Sequence, residues 1–86
     1  MSQNTESAFT AGLCRAARAL LGWSQEDLEK AARVAKKTIA DFEREARLPL
    51  PRTLAAIQDA LEAAGVEFTN GNAPGVRLIG KKKGKR

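Results

Sequence analysis

The chain has 86 residues, a formal net charge of +5, no histidine, no tyrosine and one cysteine. One cysteine excludes an internal disulfide and a cysteine-cluster metal site, and the missing histidines argue against most acid–base and zinc chemistry, so neither an enzyme nor a metal or other cofactor is expected. The excess charge is local: residues 81–86 carry five of the fifteen Lys/Arg, and the other ten are balanced by ten Asp/Glu. Any affinity of the body for a polyanion must therefore come from one face.

Residues 1–8 are polar, carry no signal-sequence pattern and are expected to be disordered. No stretch has the length and apolarity of a membrane span, so a cytoplasmic protein is expected. From about Thr10, the apolar residues Leu13, Ala17, Leu20 and Leu21 recur at helical spacing, with Cys14 as a small helix residue among them. Gly22 stands where a left-handed residue ends such a helix, and Trp23 fits a partly buried corner. Ser24, with Asp27 three residues on, reads as a capping box. It opens a short second helix over about 25–32, with Leu28 and Ala32 inward. Arg33 and Val34 form a turn, and a third helix is expected from about Lys36 to Glu45, with Ile39 and Phe42 inward. Pro51 suits the first turn of a fourth helix over about 51–64, because its missing N–H has no partner to lose there. Leu54, Ile57 and Leu61 share one face of that helix, and Gly65 ends it. Beyond it, 66–69 and 76–79 read as short strands around the turn formers of 70–75, either as a hairpin or as a strand that pairs elsewhere.

The fold expected is mainly α: a four-to-five-helix, repressor-like helix-turn-helix domain over residues 9–80, with a C-terminal β-hairpin or dimerising strand at 66–79. A basic, flexible tail, 81–86, follows. Two helices joined by a tight turn let the second enter a DNA major groove with its N-terminal residues toward the base edges. Leu21-Gly22-Trp23-Ser24-Gln25-Glu26-Asp27-Leu28 resembles the segment that opens the motif in Xre-family (phage repressor/Cro-like) regulators. Val34, Thr38-Ile39 and Phe42-Glu43-Arg44 are similar to the family's recognition-helix run. Ala64-Gly65-Val66-Glu67-Phe68 and Pro74-Gly75-Val76-Arg77-Leu78 resemble the ending of small proteobacterial members.

The resemblance implies a sequence-specific, double-stranded-DNA-binding transcriptional regulator, a homodimeric repressor or autoregulator reading a palindromic operator. It implies that Gln25 contacts a phosphate and that Ala35, Lys36, Lys37 and Thr38 open the recognition helix. Lysine can donate to guanine O6 and N7. Asp41, about one turn beyond Lys37, can accept from a cytosine amino group; Arg44, Arg47 and Arg52 complete the DNA-binding set. Arg18 matches the helix-one arginine that pairs with the glutamate of the recognition helix, here Glu43. Val66, Phe68, Val76, Leu78 and Ile79 are the dimerisation candidates, and Lys81, Lys82, Lys83, Lys85 and Arg86 are candidate phosphate contacts. Alternative functions are an antitoxin-like module that binds a partner protein, or an excision-directing DNA-binding protein. Four residues depart from the family pattern: Glu29 for alanine, Arg33 for the turn glycine, Ala35 for a hydroxyl cap, and Glu45 for a glycine. The last suggests a slightly longer third helix.

Overall fold

A computed structural model of the chain describes residues 9–69 and 74–80; the expectations for 1–8 and for the 81–86 tail lie outside them. The described residues form four helices and a hairpin, in the order α1 (Ala11–Leu21), α2 (Gln25–Ala32), α3 (Lys36–Glu43), α4 (Pro51–Ala63), β1 (Val66–Thr69) and β2 (Gly75–Leu78). The expected mainly helical, repressor-like architecture with a C-terminal hairpin is what forms. Among the described residues, no helix is long and apolar enough to cross a membrane.

Local chemistry sets each boundary. The Thr10 hydroxyl accepts from the Leu13 N–H at 3.2 Å and starts α1. Gly22, at φ 71°, ends it, with its own N–H and that of Trp23 returning to the carbonyls of Ala19 and Arg18. The Ser24–Asp27 box is reciprocal: Ser24 Oγ accepts from the Asp27 N–H at 3.0 Å, and Asp27 Oδ2 accepts from the Ser24 N–H at 2.8 Å. Pro51 is the first residue of α4.

Helix α3 ends at Glu43, two residues short of the expected boundary. Glu45 does not extend it; it takes the left-handed conformation (φ 61°) that glycine adopts in the family pattern. The reason is the turn itself. The Ala46 N–H reaches the Asp41 carbonyl at 2.8 Å and the Glu45 N–H reaches that of Phe42 at 3.0 Å. This pairing satisfies the last carbonyls of the helix only if the intervening residue is left-handed.

The core joins Ala11, Cys14 and Ala17 of α1, Leu28 of α2, Ile39 and Phe42 of α3, Ile57 and Leu61 of α4 and Val66 of β1. The inward stripe of α1 therefore differs from the expected one: only Ala17 is shared, Leu13 and Leu21 are half-buried, and Leu20 is exposed. α1 packs against α3 and β2 at once, and small side chains let the backbones approach, whereas leucine fits only at the margin. Leu54 and Ala32 lie at the edge of the core rather than inside it. Phe9 packs between α3 and β1, with its ring 5.7 Å from that of Phe42 and edge-on to that of Phe68 at 5.2 Å.

The hairpin pairs Val66 with Leu78, Glu67 with Arg77, Phe68 with Val76 and Thr69 with Gly75. β2 begins and ends one residue before its expected bounds, which leaves Ile79 beyond the strand, its N–H bonded to the Gly65 carbonyl at 2.7 Å. The five dimerisation candidates thus divide. Val66 is buried in the chain's own core, Phe68 and Val76 pack against it, and Leu78 and Ile79 are each half exposed.

Candidate nucleic-acid interface

α2 and α3 are joined by Arg33, Val34 and Ala35. Arg33 adopts the left-handed conformation (φ 60°) that the turn requires, and its N–H closes α2 onto the Glu29 carbonyl at 2.8 Å. An L-residue there costs about 1–2 kcal/mol, which glycine avoids. Ala35 leaves α3 without a side-chain cap. Of the unusual residues of the motif, Arg33 is therefore accommodated as backbone strain and Ala35 as a missing cap.

The buried face of α3 is fixed by a charged clamp. Glu43 is 3% exposed, and its carboxylate accepts four hydrogen bonds. Arg18 grips both oxygens, from Nε to Oε2 and from Nη2 to Oε1, each at 2.8 Å. Gln25 Nε2 donates to Oε1 at 2.9 Å, and the Cys14 thiol to Oε2 at 3.1 Å. The Arg15 guanidinium donates to the Glu43 backbone carbonyl, and Arg18 Nη1 to that of Trp23 at 2.9 Å. α1, α2 and α3 thus converge on one carboxylate whose lone pairs are all used. Burial opposes its charge most strongly, yet the hydrogen bonds from Arg18, Gln25 and Cys14 prevail and hold the carboxyl below the ordinary glutamate value. Burial first, and then the neighbouring carboxylate, push the Cys14 thiol far up, so it stays protonated and donates.

The opposite face of α3 is polar and open. Lys36, Lys37 and Arg44 are exposed and Thr38 is half-buried, while Ile39, Phe42 and Glu43 point inward. Lys37, Asp41 and Arg44 lie along one stripe, three or four residues apart. Asp41 accepts from Lys37 Nζ at 3.2 Å and from Arg44 Nη2 at 2.7 Å. The Arg44 hydrogen bond first, and then that of Lys37, hold its carboxyl below the usual aspartate range. Lys36 Nζ is 2.5 Å from Glu26 Oε2 in the first turn of α2. Gln25, at the first position of α2, is half-buried and turned to Glu43. Arg47, in the link between α3 and α4, and Arg52, second in α4, are exposed.

A helix-turn-helix family model matches residues 15–68, the span from the middle of α1 to β1. The chain belongs to the helix-turn-helix family. It is a DNA-binding regulator, and DNA is its partner. No curated protein matches the chain. In this helix-turn-helix protein, the cation-bearing face of α3 is the one left open once the clamp has fixed the other.

Three contributors at this site escape a reading of the sequence. Cys14 and Arg15 reach Glu43 across 29 and 28 residues, a contact that only the crossing of α1 over α3 creates. Glu26 meets Lys36 because the turn brings together the first turns of two successive helices. The only available signal was their opposite charge at those matched positions.

Proposed function

We propose that this helix-turn-helix protein is a homodimeric, sequence-specific repressor of the phage repressor/Cro-like type. It acts at its own or a neighbouring promoter and reads a palindromic operator through the major groove. The observation that carries the reading is the division of α3 into a locked inner face and an open outer face that begins with Lys36 and Lys37. A helix held along its inner face by α1 and α2 can present those lysines in one orientation, as direct base readout requires.

In this reading Lys36 and Lys37 donate to guanine O6 and N7, Asp41 accepts from a cytosine amino group, and Thr38 meets a phosphate or a thymine methyl. Gln25 keeps one amide hydrogen free of Glu43 for a phosphate, and Arg44, Arg47 and Arg52 follow the backbone. Residues 9–80 act as one domain. Leu78 and Ile79, the half-exposed pair at the end of the hairpin, supply the apolar part of a two-fold interface.

Fluorescence anisotropy with the native upstream region and a scrambled duplex, at one fixed salt concentration, tests this. The upstream DNA should bind far more tightly, and equal affinities would refute specificity. Lys37→Ala should weaken operator binding by about 1–3 kcal/mol and relax the preference at one base pair. Unchanged selectivity in that variant would remove Lys37 from base reading.

A further inference from the structure

The pairing of Lys36 with Glu26 contributes little to holding the fold. Both side chains are about half exposed, at 48% and 56%, and the two carry opposite charges on the first turns of the two helices of the motif. An exposed pair of this kind contributes little stability in water. Lys36 pulls the Glu26 carboxyl below its ordinary value, and Glu26 raises the lysine, so both are charged at neutral pH.

We propose that Glu26 is a specificity-determining positioning residue that acts through Lys36, tethering its ammonium over the reading face and penalising its use on phosphate. The inference rests on the reading of α3 as the groove-entering helix. An ammonium has three hydrogens. One on Glu26 leaves two for the O6 and N7 of a guanine, so base reading and the tether are compatible. Contact with a phosphate is different: Lys36 must swing away from Glu26, and an unpaired carboxylate is left close to the DNA backbone. Glu26 therefore tolerates the operator and weakens attachment to arbitrary sequence, a repulsive contribution to specificity. Asp41 stands in the same relation to Lys37 from within α3. Glu26 acts from the preceding helix, so it also ties the lysine's direction to the geometry of the turn.

The experiment is anisotropy of Glu26→Gln against the wild-type protein on a random duplex and on the operator, over a series of salt concentrations. On random duplex the variant should bind ~3- to 10-fold more tightly, with a salt slope steeper by roughly 0.9, the value for one further neutralised phosphate. Operator affinity should stay within about twofold, so the ratio of operator to random binding falls. In a Lys36→Ala background, Glu26→Gln should give almost no gain, because no ammonium is released. Unchanged affinity and slope on random duplex would overturn the proposal, whatever the operator shows. So would a full gain in the Lys36→Ala background, which would reduce Glu26 to a general negative charge. Equal wild-type binding to both duplexes would instead refute sequence-specific regulation and leave the random-duplex comparison standing as the test of the tether.

Discussion

Glu43 concentrates in one side chain what holds the recognition helix in place. A carboxylate that is 3% exposed is tolerable only while its charge is met, and Arg18, Gln25 and Cys14 together meet it. Removing the charge strands Arg18, whose own side chain is only 20% exposed. Glu43→Gln should therefore lower stability by about 3 kcal/mol, read from the denaturant midpoint at neutral pH. The pH dependence has a definite sign. The folded carboxyl titrates below its ordinary value of 4.5, so its stabilising contribution is complete above that value and is lost as pH falls through the depressed folded value. The stability difference between the wild type and Glu43→Gln should accordingly shrink on acidification. A difference that stays constant down to strongly acidic pH would show that the clamp works by shape and not by charge.

The elements around the clamp were legible in the sequence where local chemistry alone fixes them. Gly22, the Ser24–Asp27 pair, Pro51 and the strand-like run 66–69 each name their own boundary, and the structure places elements there. The inner stripe of α1 was not legible, because which side of that helix turns inward depends on how closely its neighbours approach. The choice of Ala11, Cys14 and Ala17 over Leu20 is a tertiary decision. The end of α3 was misjudged for a related reason: replacing the family's glycine by Glu45 does not abolish the left-handed turn, since the Asp41 and Phe42 carbonyls still need donors. Arg33 is the same case at the other turn. Both residues are exposed, and among the described residues neither side chain makes a hydrogen bond or ion pair that would offset the strain of its left-handed backbone. Arg33→Gly and Glu45→Gly should each stabilise the protein by ~0.5–1 kcal/mol, the strain relieved less the entropy that glycine loses. Ala35→Ser should add about 1 kcal/mol by supplying the cap that α3 lacks. Thermal unfolding of the three single variants checks this, and a lowered midpoint for either glycine variant would show that its turn is held by more than the backbone.

For the whole molecule, the division of charge separates two kinds of binding. On the open face of α3, Lys36, Lys37 and Arg44 all lie against Glu26 or Asp41, so that face is expected to bind a generic polyanion poorly. The tail carries five cations and no acid. Beyond the backbone contacts proposed for Arg44, Arg47 and Arg52, sequence-independent attraction is therefore expected to come from Lys81, Lys82, Lys83, Lys85 and Arg86, and selectivity from α3. In the proposed homodimer, the half-exposed Leu78 and Ile79 would pair two such molecules. Leu78→Asp, at a half-exposed position, should keep the monomer folded while sedimentation shows loss of the dimer and operator affinity falls. Deletion of 81–86 probes the other half of the division. Each tail cation that neutralises a phosphate adds ~0.9 to the salt slope, so deleting the five should flatten the slope by up to about 4.5 and weaken operator and random duplex by the same factor at each salt concentration. Their ratio should be unchanged, because none of the reading groups has been touched. Loss confined to the operator would place part of the sequence reading in the tail, and would mean that the charge balance of α3 does not confine selectivity to that helix.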